Sequence, residues 1–122
     1  MKNVQAVRNE TAGFGLLQAG ILLLTLFTGI VHLIILNVSL GHIDPAFTLN
    51  GLAYLALLVA YFLPQLRSRR NLVRMALMVL AALTIVGWLV LGDHSWPAGA
   101  LGYFTKLDEI VLILLLLVDR RN

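Results

Sequence analysis

Residues 12–36 read AGFGLLQAGILLLTLFTGIVHLIIL, an apolar stretch of 25 residues that contains no charged side chain. About 20 helical residues are enough to cross the roughly 30 Å hydrocarbon core of a bilayer. Three further apolar stretches follow, at residues 45–63, 72–91 and 98–118. The segments between them are short, which forces neighbouring helices to run antiparallel. The sequence therefore predicts an all-α integral membrane protein, in which residues 1–122 form a single antiparallel four-helix transmembrane bundle with short loops.

The composition excludes most soluble classes of protein. Of the 122 residues, 60% are hydrophobic and 12% are charged, against about 45–50% and about 25% in soluble domains. A soluble chain of this length could not bury so much apolar surface. The chain has no cysteine, which excludes disulfides, thiolate metal sites and c-type haem attachment. No catalytic triad, phosphate loop or dinucleotide fingerprint is present, so we do not expect an enzyme or a nucleic-acid-binding protein.

The cationic residues predict the orientation in the membrane. Eight of the nine lysines and arginines fall on one side of the four spans: Lys2, Arg8, Arg67, Arg69, Arg70, Arg74, Arg120 and Arg121. Positive charge is concentrated in the cytoplasmic segments of membrane proteins. Both termini and the arginine-rich turn between the second and third spans are therefore predicted to be cytoplasmic, in what we expect to be a prokaryotic plasma membrane.

A polar stripe runs along the first span. Its members recur every seven residues, a spacing that keeps them on one face of a helix in a left-handed bundle: Thr11, Gln18, Thr25, His32 and Ser39. An unpaired polar group facing lipid is unfavourable. We therefore expect this face to point towards the other helices, either as a packing seam or as part of a functional site.

Charged residues inside the fourth span are the most informative feature. Only nine uninterrupted apolar residues, 110–118, separate Glu109 from the end of the span. The cluster of Thr105, Lys106, Asp108 and Glu109 is therefore expected near mid-depth or in the outer half of the bilayer. Each charge at the bilayer centre costs about 2.5–3.5 kcal/mol on insertion scales. The three side chains are therefore not expected to face lipid.

The spacing of these charges predicts different partners for the two acids. Lys106 and Glu109 are three residues apart and can pair along the helix. Asp108 points about 100° away from Glu109 and needs a donor from another span, for which His32, Thr25 and Asn50 are candidates, unless it is protonated. The candidate intramembrane site comprises Lys106, Asp108, Glu109, Thr105, His32, Thr25, Gln18 and Asn50.

Histidines near the non-cytoplasmic end suggest a second kind of site. His42 and His94 lie in the two outer loops beside Asp44 and Asp93, and His32 lies in the outer half of the first span. Imidazole and carboxylate ligands suit zinc, copper or iron, and a transmembrane histidine can also ligate haem or a pigment. The spacing matches no metal-binding motif, so no cofactor remains the leading expectation.

Three functions are compatible with these patterns. The first is a non-enzymatic accessory or assembly subunit of a larger membrane complex, docked through its intramembrane charges. The second is a small oligomeric transporter or a proton- or ion-conducting protein that uses Lys106, Asp108 and Glu109. The third is a carrier of a metal, haem or pigment through the outer histidines. The expected partners are the lipid bilayer and either other membrane subunits or further copies of the chain.

Overall fold

The computed structural model describes residues 15–92, 94–97 and 99–119. Four helices account for most of this part of the chain, which contains no strand. We number them α1, Leu16–Leu40; α2, Pro45–Phe62; α3, Arg70–Leu91; and α4, Ala100–Val118. A 3₁₀ turn, Pro64–Arg69, connects α2 to α3. The predicted all-helical class and the number of helices are confirmed.

The helices pack as a closed ring in which α1 contacts α2 and α4, and α3 contacts the same two helices. The start of α1 and the ends of α2 and α4 lie together, because Asp119 accepts hydrogen bonds from Gln18 and from Tyr61. The start of α3 joins the same end of the bundle, where Arg74 donates to the carbonyl of Leu116. Neighbouring helices in the ring are therefore antiparallel.

Helix boundaries follow from local chemistry. The Asp44 carboxylate accepts a hydrogen bond from the Phe47 N–H at 3.0 Å, and Pro45 occupies the first turn of α2, where its missing N–H is not needed. The helix ends before Pro64, because the residue preceding a proline avoids helical angles; Leu63 is extended, with φ −74° and ψ 121°. The predicted second span, residues 45–63, is therefore correct to within one residue.

The first helix ends later than the sequence predicts. The helix continues past Leu36 to Leu40, although residues 12–14 of the prediction lie outside the described part. Asn37, which lies just beyond the predicted span, donates to the Leu33 carbonyl and to Thr48 Oγ1, and its Oδ1 accepts from the Asp44 N–H. The amide therefore joins α1 to the start of α2, and the helix ends only at Gly41, which has a positive φ of 75°.

A π-helical segment, Val31–Ile35, interrupts α1. Its hydrogen bonds span one residue more than those of an α-helix, so the residues that follow are rotated by about 100°, the angle of one residue. The predicted polar stripe therefore stops at His32. Gln18, Thr25 and His32 are buried, Ser39 is exposed, and Thr11 lies outside the described residues.

The third and fourth spans differ little from their predicted limits of residues 72–91 and 98–118. The third helix begins two residues earlier, at Arg70, and the fourth begins at Ala100. Three helices, α1, α2 and α3 with its preceding turn, are long and apolar enough to cross a membrane. The fourth has 19 residues but contains Lys106, Asp108 and Glu109.

The buried core is small, and the outer surface is strongly apolar. Eight buried side chains form one core cluster: Ile21, Tyr54, Tyr61, Val73, Leu77, Ala81, Leu112 and Leu116. Large aliphatic side chains on all four helices are exposed, for example Leu23 (64%), Val59 (61%), Leu83 (65%) and Leu114 (55%). The outer surface is thus suited to an apolar environment.

Helices α1 and α2 approach each other closely where Gly29 of α1 faces Gly51 of α2. A Cβ atom on Gly51 would lie 2.7 Å from the carbonyl oxygen of Gly29 and 2.7 Å from the backbone nitrogen of Leu33. These are backbone atoms that cannot move without shifting a helix. Glycine is therefore required at position 51 for the two helices to meet as they do.

We expect Gly51→Ala to lower the free energy of unfolding in detergent by about 1–3 kcal/mol, the usual cost of overpacking. Gly87→Ala on α3 is the matched control, because, apart from the adjacent helix backbone, no other described residue lies within 4 Å of the point that its Cβ would occupy. That change should be neutral or raise stability by up to about 1 kcal/mol, since alanine favours helix. Equal thermal stability of the two variants would show that the crossing is not tightly packed.

Candidate functional site

A buried polar cluster joins all four helices in the half of the bundle away from the α2–α3 turn. We call it the four-helix polar cluster. Its members are hydrogen-bonded in sequence across the bundle: His32 and Thr28 on α1, Glu109 and Lys106 on α4, Tyr54 and Asn50 on α2, and Thr84 on α3.

Glu109 is the centre of this cluster and is fully buried. Its Oε1 lies 2.5 Å from Lys106 Nζ, one turn earlier on α4. Its Oε2 accepts hydrogen bonds from Thr28 Oγ1 at 2.7 Å and from the Tyr54 hydroxyl at 3.2 Å. The carboxylate therefore has a cation and two hydroxyl donors. This is the kind of pairing that a buried charge requires.

The geometry around His32 fixes which ring nitrogen carries the hydrogen. Nδ1 lies 2.8 Å from the carbonyl oxygen of Thr28 and 3.3 Å from Thr28 Oγ1. The Thr28 hydroxyl donates its hydrogen to Glu109, so both oxygens facing Nδ1 are acceptors. We therefore assign the hydrogen to Nδ1, which leaves a lone pair on Nε2 when the ring is neutral. His32 lies in the π segment, a feature that is frequent at functional sites.

Tyr54 connects Glu109 to the other side of the bundle. Its hydroxyl lies 3.3 Å from Thr84 Oγ1 as well as 3.2 Å from Glu109 Oε2. Thr84 donates to the Leu80 carbonyl and accepts from Asn50 Nδ2, each at 2.7 Å. A hydrogen bond to a carboxylate is stronger than one to a neutral hydroxyl, so we assign the Tyr54 hydrogen to Glu109.

Asp108 stands beside this cluster without joining it. The residue is 7% exposed, and its Oδ2 is buried with no hydrogen-bond partner in the part of the chain that the structure describes. Leu115 lies one heptad later on the same face and closely approaches Gly20 of α1, so Asp108 lies on the α1 flank of α4. Lys106 is two residues earlier, about 200° around the helix, and therefore lies on the opposite flank of Glu109.

None of the three predicted donors reaches Asp108. Thr25 donates to the Ile21 carbonyl within its own helix, His32 is held by Thr28, and Asn50 donates to Thr84. The structure therefore does not bring any of these three side chains to Asp108. Short polar side chains on a helix satisfy themselves locally, which the spacing along the sequence does not reveal.

The remaining predicted site residues are placed elsewhere. Thr105 is buried and donates to the Leu101 carbonyl, 2.7 Å away on its own helix. Gln18 is buried at the opposite end of the bundle, where its Nε2 donates to Asp119 Oδ1 at 3.2 Å. Of the eight predicted residues, the structure thus brings Lys106, Glu109, His32 and Asn50 into one network: the other four lie outside it.

A second polar group at the α2–α3 end was not predicted. Asp119 is 2% exposed and accepts hydrogen bonds from Gln18 and from the Tyr61 hydroxyl. The acid directly precedes two arginines in the sequence, and it therefore resembled a solvated end of the span. Its spacing of three and seven residues from Leu116 and Leu112 places it on the buried face, and that signal could have identified it. Thr84 was also missed, because nothing in the apolar third span singles it out.

The outer histidines lie at exposed positions. His42 Nδ1 is 3.2 Å from the Leu40 carbonyl, and His94 Nε2 is 2.8 Å from the Trp88 carbonyl. Asp44 caps α2, and Asp93 lies outside the described residues. Within the described part of the chain, no three histidine, aspartate or glutamate side chains are placed to hold a metal ion. Metal, haem and pigment binding therefore gain no support from the geometry.

Comparison of the chain with protein-family models, with curated proteins and with solved structures finds no match. The function is therefore argued from the geometry of the buried residues.

The hydroxyl of Thr28 is expected to stabilise the buried charge of Glu109. Thr28→Val keeps the shape of the side chain and removes the donor, so it should lower the free energy of unfolding by about 1.5–3 kcal/mol, the usual range for hydrogen bonds to charged groups. Thr25→Val is the matched control: Thr25 is equally buried on the same helix but bonds only to its own backbone. We expect that variant to lose less than about 1 kcal/mol. Chemical unfolding in detergent measures both, and equal losses would contradict a special role for Thr28.

Proposed function

We propose that the protein is an integral membrane protein whose four-helix polar cluster, with Asp108, is the proton- or cation-binding site of a small transporter or ion-conducting protein. Exposed aliphatic side chains on all four helices support the membrane location, because a soluble monomer rarely exposes large contiguous apolar patches. The α2–α3 turn, where Arg67 and Arg69 are exposed, is then the cytoplasmic side. The polar cluster lies in the outer half.

Burying the charged side chains of α4 costs free energy that a purely structural role does not require. Replacing a buried ion pair by well-packed apolar residues is often neutral or stabilising. Ionisable residues at membrane depth are accordingly functional-site candidates by default. From Glu109 to Val118 the helix rises about 14 Å, roughly half of the hydrocarbon thickness. The ion pair Lys106–Glu109 thus lies near the bilayer centre, where the free-energy cost of burying charge is greatest.

The observation that carries the proposal is the buried Oδ2 of Asp108. Both carboxylate oxygens of Glu109 have donors, whereas this atom has no partner among the described residues. A buried polar atom without a partner requires an explanation in a native structure. Binding of an exchangeable proton or cation supplies one, and a packing role for Asp108 does not.

An apolar layer favours a gated transporter over an open channel. Glu109 and Asp119 are ten residues apart on α4, about 15 Å along the helix axis. Between these levels the core is closed by Leu112, Leu116 and Leu77, none of which is exposed. An ion leaving the polar cluster towards the cytoplasmic side would need these side chains to separate, as in alternating access.

An accessory or assembly subunit is the second candidate. Short connections between the helices support it, because they leave little protein outside the bundle. Docking through Lys106 has less support, since this ammonium is 6% exposed and paired with Glu109 inside the chain. The outward apolar surface would then provide the interface.

Native mass after mild detergent extraction from the host membrane separates these candidates. A transporter is expected to run as a small multiple of 13.4 kDa, whereas an accessory subunit is expected to run with other polypeptides. A defined complex with other polypeptides that persists in several detergents would favour the accessory function.

Proton flux into liposomes tests the first candidate directly. Purified protein is reconstituted around a pH-sensitive dye, and a potassium gradient with valinomycin provides an inside-negative potential. We expect wild-type protein to acidify the lumen, and Asp108→Asn to slow this by about tenfold or more, because an amide cannot exchange the proton.

Asp44→Asn is the matched control for that measurement. It makes the same chemical change at the N-cap of α2, where asparagine caps as well as aspartate does. Its flux should equal that of wild type. An inactive wild-type protein, or an Asp108→Asn variant as fast as wild type, would contradict proton conduction through this site.

A further inference from the structure

We infer that the two adjacent acids of α4 have opposite roles: Glu109 is a fixed anion, and Asp108 holds the exchangeable proton. The inference rests on the proposed function, because it takes this half of α4 as the working site. It narrows the bound species from a proton or cation to a proton, and it assigns that proton to one residue.

The donors in the cluster are distributed unequally between the two acids. Lys106 Nζ, Thr28 Oγ1 and the Tyr54 hydroxyl all lie within hydrogen-bond distance of Glu109. No hydrogen bond reaches Asp108 within the described residues, and its Oδ2 is buried. Hydrogen bonds to a carboxylate stabilise the ionised form, whereas an apolar site without donors favours the neutral acid.

Lys106 already occupies the place that a bound cation would take at Glu109. Its ammonium lies 2.5 Å from Oε1, while two hydroxyls occupy Oε2. A metal ion would have to displace all three groups. Glu109 is therefore a positioning residue that holds Lys106, Thr28 and Tyr54 in place.

Asp108 belongs to no group of three histidine, aspartate or glutamate side chains in the described part of the chain that could hold a metal ion. Calcium takes six to eight oxygen ligands, and magnesium needs six in octahedral geometry. Asp108 and Glu109 point about 100° apart on the helix, and no group of three suitable side chains exists in the described part of the chain. A proton needs only one carboxylate oxygen.

Few other titratable groups face this region of α4. Lys106 and Glu109 flank Asp108 on its own helix, α1 contributes His32, and α2 contributes Tyr54. On α3, Arg74 lies at the Leu116 carbonyl, eight residues further along α4 than Asp108. Asp108 is the one among these side chains that lacks a polar partner, so the proton is assigned to it.

Infrared spectroscopy of the purified, reconstituted protein at neutral pH tests this assignment without measuring flux. A protonated carboxyl group gives a C=O stretching band that is separate from the carboxylate bands and shifts in deuterated water. We expect this band in wild-type protein, its loss in Asp108→Asn and its retention in Asp44→Asn. Circular dichroism verifies that each variant keeps its helix content.

Glu109→Gln provides the opposing test. If Glu109 held the proton, this substitution would remove the band and Asp108→Asn would leave it unchanged; that result overturns the inference, as does the absence of the band from wild-type protein. A band that depends on Asp108 without any proton flux would refute proton conduction through this site and leave the assignment of the proton to Asp108 standing. Proton flux that depends on Asp108 in a protein without the band would refute the assignment of the proton to Asp108 and leave proton conduction standing.

Discussion

The burial of one negative charge, that of Glu109, is the constraint on which the bundle depends. A carboxylate inside an apolar bundle is tolerated only when its charge is paired and its oxygens accept hydrogen bonds. Lys106 supplies the cation from the same helix, Thr28 supplies a donor from α1, and Tyr54 supplies one from α2. Thr84 extends the contact to α3. The relative positions of four helices thus follow from satisfying one side chain.

Close backbone packing brings these donors within reach. Gly51 of α2 approaches the carbonyl oxygen of Gly29 so closely that a Cβ would lie 2.7 Å from it. Thr28 directly precedes Gly29, and Tyr54 lies one turn after Gly51. Small residues at a helix crossing let polar groups on adjacent turns meet across the interface, as in membrane bundles generally. The glycine crossing and the polar cluster are therefore parts of a single arrangement.

The sequence predicts the helices and the buried charge better than it predicts the partners. Hydrophobic length identifies all four helices, and the cost of placing charge on an apolar surface correctly predicts that Lys106 and Glu109 face inward. Seven-residue spacing fails at Ser39, because the π segment rotates the end of α1, and no pattern of residue types predicts that extra residue. The donors expected for Asp108 bond to other groups for a different reason. Differences of a few tenths of an ångström decide whether a hydroxyl or amide side chain bonds to the backbone or to another side chain, and the sequence does not reveal them.

The two polar clusters also constrain how the bundle could move. Arg74 of α3 holds the Leu116 carbonyl, and Asp119 joins α4 to α1 and α2, so the C-terminal end of α4 is fixed to three helices. At the other end, Glu109 fixes α4 just as firmly. Between the four-helix polar cluster and the polar group around Asp119, the helices meet through apolar contacts of Leu112 and Leu116. Such contacts are non-directional. Separating the helices at the apolar layer would therefore break fewer directional interactions than separating them at either polar group.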